Sequence, residues 1–329
     1  MKGIFLLRPA AFAQIYGAAE VAAIEKMLDL YAAPQSAESI QADPSVLAQA
    51  DVILSGWGMP KMDAEFLALA PRLQAVFYGA GSIKGIVTDA FWAHGIQITS
   101  AAAANAVPVV EYTLSQILFC LKLGWRHALE IRREQRYPGR HHVPGAYGST
   151  VGLISLGLIG RRVCEMLRLF DVRVIAYDPF ATPGEAAALG VELVALDELF
   201  QRADVVSLHA PWLKETERLI TGAHFAAMKP NAAFINTARG AIVAEDEMIA
   251  ILQQRPDLQA VLDVTYPEPP VPDSPLYTLP NVVLTPHIAG SLDDECRRMG
   301  RMMVDELARF LAGQPLHGAV TQAKEAISA

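Results

Sequence analysis

Three polar residues of complementary type, Arg239, Glu268 and His287, each follow an apolar run of the sequence. Short apolar runs bounded by turn residues predict buried strands of a parallel sheet. A charged or titrating residue that follows such a strand lies at the edge where open α/β sheets bind ligands. A capped strand end explains any one of these residues, but a guanidinium, a carboxylate and an imidazole together suggest a shared site.

One reaction that needs all three groups is hydride exchange between a nicotinamide and a 2-oxo or 2-hydroxy acid. Arg239 would bind the carboxylate of the acid and polarise its carbonyl group. His287 would give a proton to the carbonyl oxygen during reduction, or remove it in the reverse direction. Glu268 would accept a hydrogen bond from the far ring nitrogen of His287 and so orient the imidazole.

A strand–turn–helix–strand pattern suited to a dinucleotide spans residues 149–178. Gly157 and Gly160 open a helix after an apolar strand, and the next strand ends at Asp178, 18 positions after Gly160. The glycines let the backbone approach a pyrophosphate, the helix N-terminus offers free N–H groups, and the carboxylate accepts from ribose hydroxyls. The glycine pattern alone also fits a βαβ unit without a ligand, and it is the position of Asp178 that favours a dinucleotide.

Two details of this segment bear on the cofactor. Ser155 stands where the fingerprint has its first glycine, and serine lacks the freedom at positive φ that the tight turn uses. Asp178 has no nearby arginine and would repel a 2′-phosphate, so the sequence predicts NAD rather than NADP.

Composition limits the classes of protein that fit. The chain has 329 residues, 52% of them apolar and 19% charged, which predicts two well-buried globular domains. The net charge of −8 gives no reason to expect nucleic acid or an anionic membrane as partner. Three scattered cysteines predict buried free thiols in a reducing cytoplasm. We expect neither a signal peptide at the N-terminus nor an apolar run of the roughly 18 residues that span a membrane.

Alternating strands and helices predict two α/β domains, each with a doubly wound parallel sheet. We expect residues 1–107 and 291–329 to form a substrate domain, and residues 108–290 to form the nucleotide-binding domain. A long helix that begins near Asn105, with Pro108 at its first position, would connect them. A final helix from Ser291 to Leu311, with Ser291 as its N-cap, would return to the first domain.

Residues 126–149 are polar, turn-rich and basic, with Arg132, Arg133 and Arg136 among them. They predict either a solvated arm or a contact between subunits. The adjacent pair His141-His142 does not predict a metal site, because neighbouring side chains rarely point at one ion, and no other spacing in the chain predicts a metal.

Three segments resemble the signature segments of the D-isomer-specific 2-hydroxyacid dehydrogenases, and they occur in the family's order. These are Asn236-Thr-Ala-Arg-Gly240, Asp263-Val-Thr-Tyr-Pro-Glu-Pro269 and Thr285-Pro-His-Ile-Ala-Gly290. The similarity extends to His209-Ala-Pro211 with Thr216 and to residues 105–111, so it covers nearly the whole chain. The resemblance implies two Rossmann-like domains with an active-site cleft between them, a homodimer, and NAD or NADH as cofactor.

The resemblance also implies roles for single residues. Arg239 would bind the substrate, Glu268 would partner the histidine, and His287 would be the acid/base. The substrate carboxylate would bind backbone amides of Ala80, Gly81 and Ser82, beside Arg239 and His287. The residues expected to contact the cofactor are Ser155, Gly157, Leu158, Ile159, Gly160, Asp178, His209, Ala210, Pro211, Thr216, Thr237, Ala238, Arg239, Asp263, His287 and Gly290.

Two departures from the family pattern stand out, at Ser155 and at Lys84. The family has an apolar residue and then Asp or Asn after the Gly81 position, where this chain has Ser82-Ile83-Lys84. Lys84 is either a solvated lysine or a positive charge near the substrate, and the second case favours a dianionic or phosphorylated acid. The chain ends soon after the last predicted helix, which disfavours the phosphoglycerate enzymes that carry a regulatory domain.

The sequence does not name the 2-hydroxy acid, which would be a small one of the glyoxylate, hydroxypyruvate or phosphoglycerate kind. The alternative function is an NAD(H)-sensing binding protein of corepressor type, without turnover. Retention of all three catalytic residues argues against that alternative. Formate or phosphite oxidation is a third option that no residue of the sequence supports.

Overall fold

The computed structural model describes residues 1–139 and 143–327, so Arg140, His141 and His142 lie outside the described residues. The chain divides into two compact units. Unit 1 comprises Met1–Val107 and Ser291–Ala329, and unit 2 comprises Pro108–Gly290. The functions expected of the two units, and a cleft between them, stay predictions.

Twelve strands of the described chain form two sheets. They are β1 (Lys2–Leu6), β2 (Asp29–Leu30), β3 (Val52–Ser55), β4 (Ala75–Tyr78), β5 (Gln97–Ser100), β6 (Thr150–Ile154), β7 (Arg173–Tyr177), β8 (Glu192–Leu193), β9 (Val205–Leu208), β10 (Ala233–Asn236), β11 (Gln259–Leu262) and β12 (Val282–Leu284). Unit 1 has the order β2-β1-β3-β4-β5, and unit 2 has the order β12-β11-β10-β9-β6-β7-β8. Every pairing in both sheets is parallel.

Fourteen helices of the described chain lie between the strands or after the last one. They are α1 (Pro9–Ile15), α2 (Ala18–Glu25), α3 (Ala37–Ala42), α4 (Ala64–Leu69), α5 (Asp89–Ala93), α6 (Ala102–Leu121), α7 (Gly124–Glu134), α8 (Leu158–Leu167), α9 (Pro183–Leu189), α10 (Leu196–Arg202), α11 (Gly222–Ala227), α12 (Glu245–Gln254), α13 (Cys296–Leu311) and α14 (Gln322–Ala326). Short 3₁₀ helices occupy Pro44–Gln49, Gly240–Ile242, Pro275–Tyr277 and Asp293–Glu295.

Each sheet is buried on both faces, because successive residues of a strand point to opposite sides. In β1, Ile4 and Leu6 belong to one apolar cluster and Phe5 to another. In β10, Phe234 and Ile235 divide in the same way between the two clusters of unit 2. The predicted fold class, α/β with doubly wound parallel sheets, is therefore confirmed.

The long helix α6 differs from its prediction. It begins at Ala102, so Pro108 lies inside the helix and not at its first position. Alanines at 102–104 favour helix and extend it towards the N-terminus. The helix is also long and apolar enough to cross a membrane by length and composition, contrary to the expectation that no segment would be. More than half of it is buried within the protein, and Val110, Ile117, Cys120 and Leu121 pack in a core cluster of unit 2, as in the core helix of a globular domain.

The last long helix also starts differently. Ser291 does not cap it: the Ser291 hydroxyl is buried without a partner, and its N–H donates to Asn105 Oδ1 at 2.9 Å. Instead, Glu295 N–H donates to Leu292 O at 3.0 Å in a 3₁₀ turn, the Glu295 carboxylate accepts from Leu292 N–H at 3.3 Å, and α13 begins at Cys296. The methionines of α13 pack in unit 1, where Met299 and Met303 are fully buried.

Candidate active site

The imidazole of His287 and the carboxylate of Glu268 form a hydrogen bond at the carboxyl edge of the unit 2 sheet. His287 Nδ1 lies 2.6 Å from Glu268 Oε1. Glu268 follows β11 and His287 follows β12, which are neighbours in the sheet. Among the described residues the other ring nitrogen, Nε2, has no hydrogen-bond partner, and about half of the His287 side chain is exposed. Nε2 is therefore the nitrogen available to a ligand.

Asp263 fixes the loop that carries His287. Its carboxylate accepts hydrogen bonds from Thr285 Oγ1 at 2.6 Å, from Ile288 N at 2.9 Å and from Ala289 N at 2.9 Å. Asp263 is only 2% exposed, so these bonds compensate a buried charge. His287 has φ +55, a left-handed conformation that is strained for a non-glycine residue. The bonds to Asp263 hold the loop in this conformation; its expected contact with the cofactor stays a prediction.

Arg239 follows β10, the next strand of the same sheet. Gly240 brings this loop against the loop after β11, since a Cβ at Gly240 would lie 2.0 Å from the carbonyl carbon of Thr265. The Arg239 guanidinium donates to its neighbour's carbonyl, Ala238 O, at 2.6 Å. Burial lowers the pKa of Arg239, and the negative charge of Glu268 opposes that shift. The three residues named from the sequence thus follow three adjacent strands. Arg239 also lies near enough to Glu268 for the two charges to interact.

The turn between β6 and α8 has the form of a phosphate cradle. A Cβ at Gly160 would lie 2.1 Å from the Ser155 carbonyl oxygen, so only glycine fits this position. Gly157 and Leu158 are exposed at the start of α8, where the first N–H groups of a helix have no acceptor within it. These N–H groups and the positive end of the helix dipole suit a pyrophosphate. This turn and the acidic end of β7 therefore fit a bound dinucleotide.

The remaining residues expected to contact the cofactor lie on loops of the same sheet. Thr216 Oγ1 donates to Pro211 O at 2.6 Å and accepts from Leu213 N at 2.8 Å, which closes the turn after β9. Thr237 is buried beside Thr113, with the two hydroxyl oxygens 3.2 Å apart. Ala210 is buried, whereas Ala238 and Gly290 are half-buried. Their contacts with a cofactor stay predictions.

His209, which follows β9, carries an unsatisfied polar atom. Its Nε2 lies 3.0 Å from Ser207 Oγ, but its Nδ1 is buried with no hydrogen-bond partner. Burial lowers the pKa of His209 to about 4. The residue is therefore neutral at pH 7, which suits a side chain that shapes the cofactor loop and does not transfer protons.

The lowered pKa of His209 predicts a pH dependence of stability. An unfolded histidine takes up its proton near pH 6.5, whereas the folded protein resists protonation until about pH 4. Stability therefore falls as the pH drops through this window, because the unfolded chain binds the extra proton. We expect His209→Gln to reduce the loss of unfolding free energy between pH 7 and pH 4.5 by about 1–3 kcal/mol. Urea unfolding at the two pH values measures this.

The control for that measurement is His94→Gln, since His94 is an exposed side chain of unit 1. That variant should keep the wild-type dependence of stability on pH. An equal dependence in wild type and His209→Gln would contradict the assignment of the effect to His209.

In unit 1, the loop after β4 presents the amides that the sequence assigned to a carboxylate. Ser100 Oγ donates to the carbonyl oxygens of Ala80 and Gly81, and Ala101 N–H also donates to Ala80 O. In the part of the chain that the structure describes, the N–H groups of Ala80, Gly81 and Ser82 have no such partner. The carbonyl groups of this loop are therefore hydrogen-bonded, whereas its N–H groups remain available. Neighbouring backbone N–H groups without a partner suit an anion.

The described chain has three buried cysteines and no cluster of three or more potential metal ligands. Cys120, Cys164 and Cys296 are buried, and burial raises the thiol pKa values to about 12, 12 and 11. These thiols are therefore protonated at pH 7, and a protonated thiol is a poor nucleophile. Residues 1–139 and 143–327 contain no group of three or more His, Cys, Asp or Glu side chains that could hold a metal ion.

Sequence reasoning missed two residues of α6 that support the site. Tyr112 contacts Thr285, with 2.8 Å between the hydroxyl oxygens, and Thr113 contacts Thr237. Thr285 in turn donates to Asp263, so Tyr112 extends the network that fixes the His287 loop. The only signal in the sequence is an adjacent Tyr-Thr pair in an otherwise apolar helix.

Comparison with known proteins agrees with this geometry. The sequence profile described as "D-isomer specific 2-hydroxyacid dehydrogenase, NAD binding domain" matches residues 116–289, which include most of unit 2. NAD is accordingly the cofactor of this unit. The matched segment contains the cradle, Asp178, Arg239, Glu268 and His287.

Two curated relatives match most of this chain. The (S)-sulfolactate dehydrogenase of Chromohalobacter salexigens is 36% identical over 254 residues, which cover 76% of this chain and 82% of the relative. The D-3-phosphoglycerate dehydrogenase of Mycobacterium tuberculosis is 34% identical over 259 residues, 79% of this chain. The chain spans only about half, 49%, of that relative's length.

A solved structure extends the similarity across both units. The D-lactate dehydrogenase of Aquifex aeolicus, complexed with NAD and lactic acid, is 26% identical with a TM-score of 0.71. The match covers 94% of this chain and 96% of that one. With the profile and the relatives, it shows that this chain belongs to the family of D-isomer-specific 2-hydroxyacid dehydrogenases.

Proposed function

We propose that the protein is an NAD-dependent oxidoreductase that interconverts a small 2-oxo acid and the corresponding D-2-hydroxy acid. The observation that carries the proposal is the 2.6 Å pair of His287 and Glu268, which follow strands next to the one that leads to Arg239. When bound, the nicotinamide supplies or accepts the hydride. The names of the relatives, a sulfolactate and a phosphoglycerate dehydrogenase, support a 2-hydroxy acid as the substrate.

His287 moves the proton in this proposal. Glu268 holds Nδ1, so Nε2 donates its proton to the carbonyl oxygen as the acid is reduced. The ring is then neutral, and its remaining proton, on Nδ1, is hydrogen-bonded to Glu268. In the oxidation direction, Nε2 of the neutral ring removes the proton of the hydroxyl group. Asp263 acts through the loop, since it fixes the backbone of residues 288 and 289 next to His287.

Arg239 binds the acid. Its guanidinium presents several donors in one plane, which match a carboxylate and an adjacent carbonyl oxygen. Partial burial strengthens the interaction with a developing negative charge, because less water screens it. Within unit 1, the N–H groups of Ala80, Gly81 and Ser82 support the binding of a carboxylate, and unit 1 would accordingly be the substrate domain.

A homodimer and a cytoplasmic location complete the proposal. Large exposed side chains of unit 2 support a subunit contact: Phe119 lies on α6, and Tyr137 and Tyr147 lie on the segment after α7. Three buried, unpaired thiols are consistent with a reducing compartment. Sedimentation of the full chain would test the dimer.

The proposal is tested by NADH oxidation with a panel of 2-oxo acids. The panel comprises glyoxylate, hydroxypyruvate, pyruvate and branched and aromatic 2-oxo acids, and it is repeated with NADPH. We expect turnover with at least one acid and a clear preference for NADH, since Asp178 repels a 2′-phosphate. Tight NADH binding with no turnover on any acid would instead favour the NAD(H)-sensing protein, and a preference for NADPH would overturn the role of Asp178.

The role of Lys84 bears on whether the substrate carries a second anionic group. It follows the amide-bearing loop by two residues, and a positive charge there would favour an acid with a second anionic group. If so, Lys84→Ala should raise the KM for phosphorylated or sulfonated 2-oxo acids by about tenfold or more and leave the KM for pyruvate within about twofold. Equal changes for both classes would identify Lys84 as a surface residue.

A further inference from the structure

Ser155 holds an unfavourable backbone conformation at the cofactor cradle. It has φ +78, which glycine adopts freely and serine does not. Its N–H donates to Tyr177 O at 2.8 Å, and its carbonyl oxygen lies against Gly160, where a Cβ would come within 2.1 Å. These contacts on both sides hold the residue in place. The serine therefore keeps a left-handed backbone conformation that is strained for serine and unstrained for glycine.

The side chain of Ser155 contacts the carboxylate that is expected to accept from the ribose. Asp178 Oδ1 accepts from Phe180 N at 2.7 Å and Ala181 N at 3.0 Å. Asp178 Oδ2 accepts from Leu156 N at 2.6 Å and from Ser155 Oγ at 3.4 Å. A carboxylate offers about four acceptor positions, so the chain itself occupies all of them.

Only one of the four donors can leave without moving the backbone. Three are N–H groups of the turns that follow β6 and β7, at 2.6–3.0 Å. The fourth is a hydroxyl on a rotatable bond, and its distance of 3.4 Å is the longest of the four. A ribose hydroxyl that binds Asp178 thus takes the acceptor position of Ser155 Oγ.

We infer that Ser155 weakens the binding of NAD(H), because its hydroxyl competes with the adenosine ribose for Asp178. The same residue contributes backbone strain that glycine would remove. Ser155 is thus a determinant of cofactor affinity and release. The inference rests on NAD as the cofactor and is independent of the proposed acid substrate.

The test compares Ser155→Ala and Ser155→Gly by titration with NADH and with NADPH, followed by nicotinamide fluorescence. Ser155→Ala removes the hydroxyl and keeps the strained Cβ, so it should tighten the Kd for NADH by about two- to tenfold, the worth of one hydrogen bond. Ser155→Gly should tighten it at least as much and also raise the Tm of the free protein by a few degrees. NADPH should gain less, because its O2′ carries a phosphate and no hydroxyl donor.

Two further variants make the result decisive. Ser149→Ala removes a hydroxyl just before the other end of β6, where Ser149 Oγ bonds Gly145 O at 2.6 Å, and it should leave the Kd unchanged. Asp178→Ala should weaken NADH binding by about tenfold or more. An unchanged or weaker Kd for NADH in Ser155→Ala would overturn the inference, as would an equal gain for NADH and NADPH. Thermal unfolding of each variant without cofactor separates a folding defect from a binding effect.

Discussion

Replacing His287 by alanine should lower turnover by about 10²–10⁴-fold, the usual contribution of a positioned acid/base. In the proposed function the free ring nitrogen of His287, Nε2, exchanges a proton with the substrate oxygen, because Glu268 occupies Nδ1. Steady-state NADH oxidation with the best acid of the panel measures the change. NADH should still bind, as followed by fluorescence, because His287 is only one of the expected cofactor contacts and the cradle at Ser155–Gly160 follows a different strand.

His94→Ala is the matched control for that variant. His94 is an exposed histidine of unit 1 whose Nδ1 lies 2.7 Å from Ala90 O, outside the proposed site. This variant should keep wild-type turnover. Near-wild-type activity in His287→Ala would remove the proton donor from the mechanism and refute the proposed function.

Replacing Arg239 by lysine should lower kcat/KM by about 10²-fold, although the charge is kept. A lysine ammonium is a point charge and cannot hold a carboxylate and a carbonyl oxygen with one planar group. Most of the loss should appear at low substrate concentration, as a raised KM. Kinetics over a range of acid concentrations at saturating NADH separate KM from kcat.

Arg202→Lys is the control for this substitution. Arg202 forms exposed ion pairs with Glu192 and Glu198 on the surface of unit 2, and exposed pairs contribute little. Its kcat/KM should stay within about twofold of wild type. A comparable kcat/KM in Arg239→Lys and Arg202→Lys would show that Arg239 does not contact the acid.

The sequence predicted the parts of the site that depend on strand ends. Arg239, Glu268 and His287 follow short apolar runs, and parallel strands place such residues at one edge of a sheet. Residue type and strand position were therefore sufficient to predict that these three residues follow neighbouring strands, and their roles in catalysis stay predictions. The signature segments then indicated the family to which the chain belongs, and comparison with known proteins confirmed that family.

What the sequence did not predict depends on contacts between distant segments. Tyr112 reaches Thr285 across 173 positions of the chain, and no local pattern encodes that distance. The start of α6 was predicted wrongly because a proline usually marks a first turn, whereas here the alanines at 102–104 extend the helix towards its N-terminus. The four hydrogen bonds to Asp178 could not be predicted either, because three of the donors are backbone N–H groups, whose presence does not depend on the residue type.

Unit 1 is formed by two segments that lie far apart in the sequence, and this has a consequence for folding during synthesis on the ribosome. Unit 2 has all its strands once residue 284 has been made, so it can fold while the chain is still growing. Unit 1 is completed later, since Met299, Met303 and Leu307 of α13 belong to a core cluster that also contains Phe5. Phe5 and Phe77 therefore lack part of their apolar partners until residues 299–307 have been made, and we expect the core of unit 1 to form after that of unit 2.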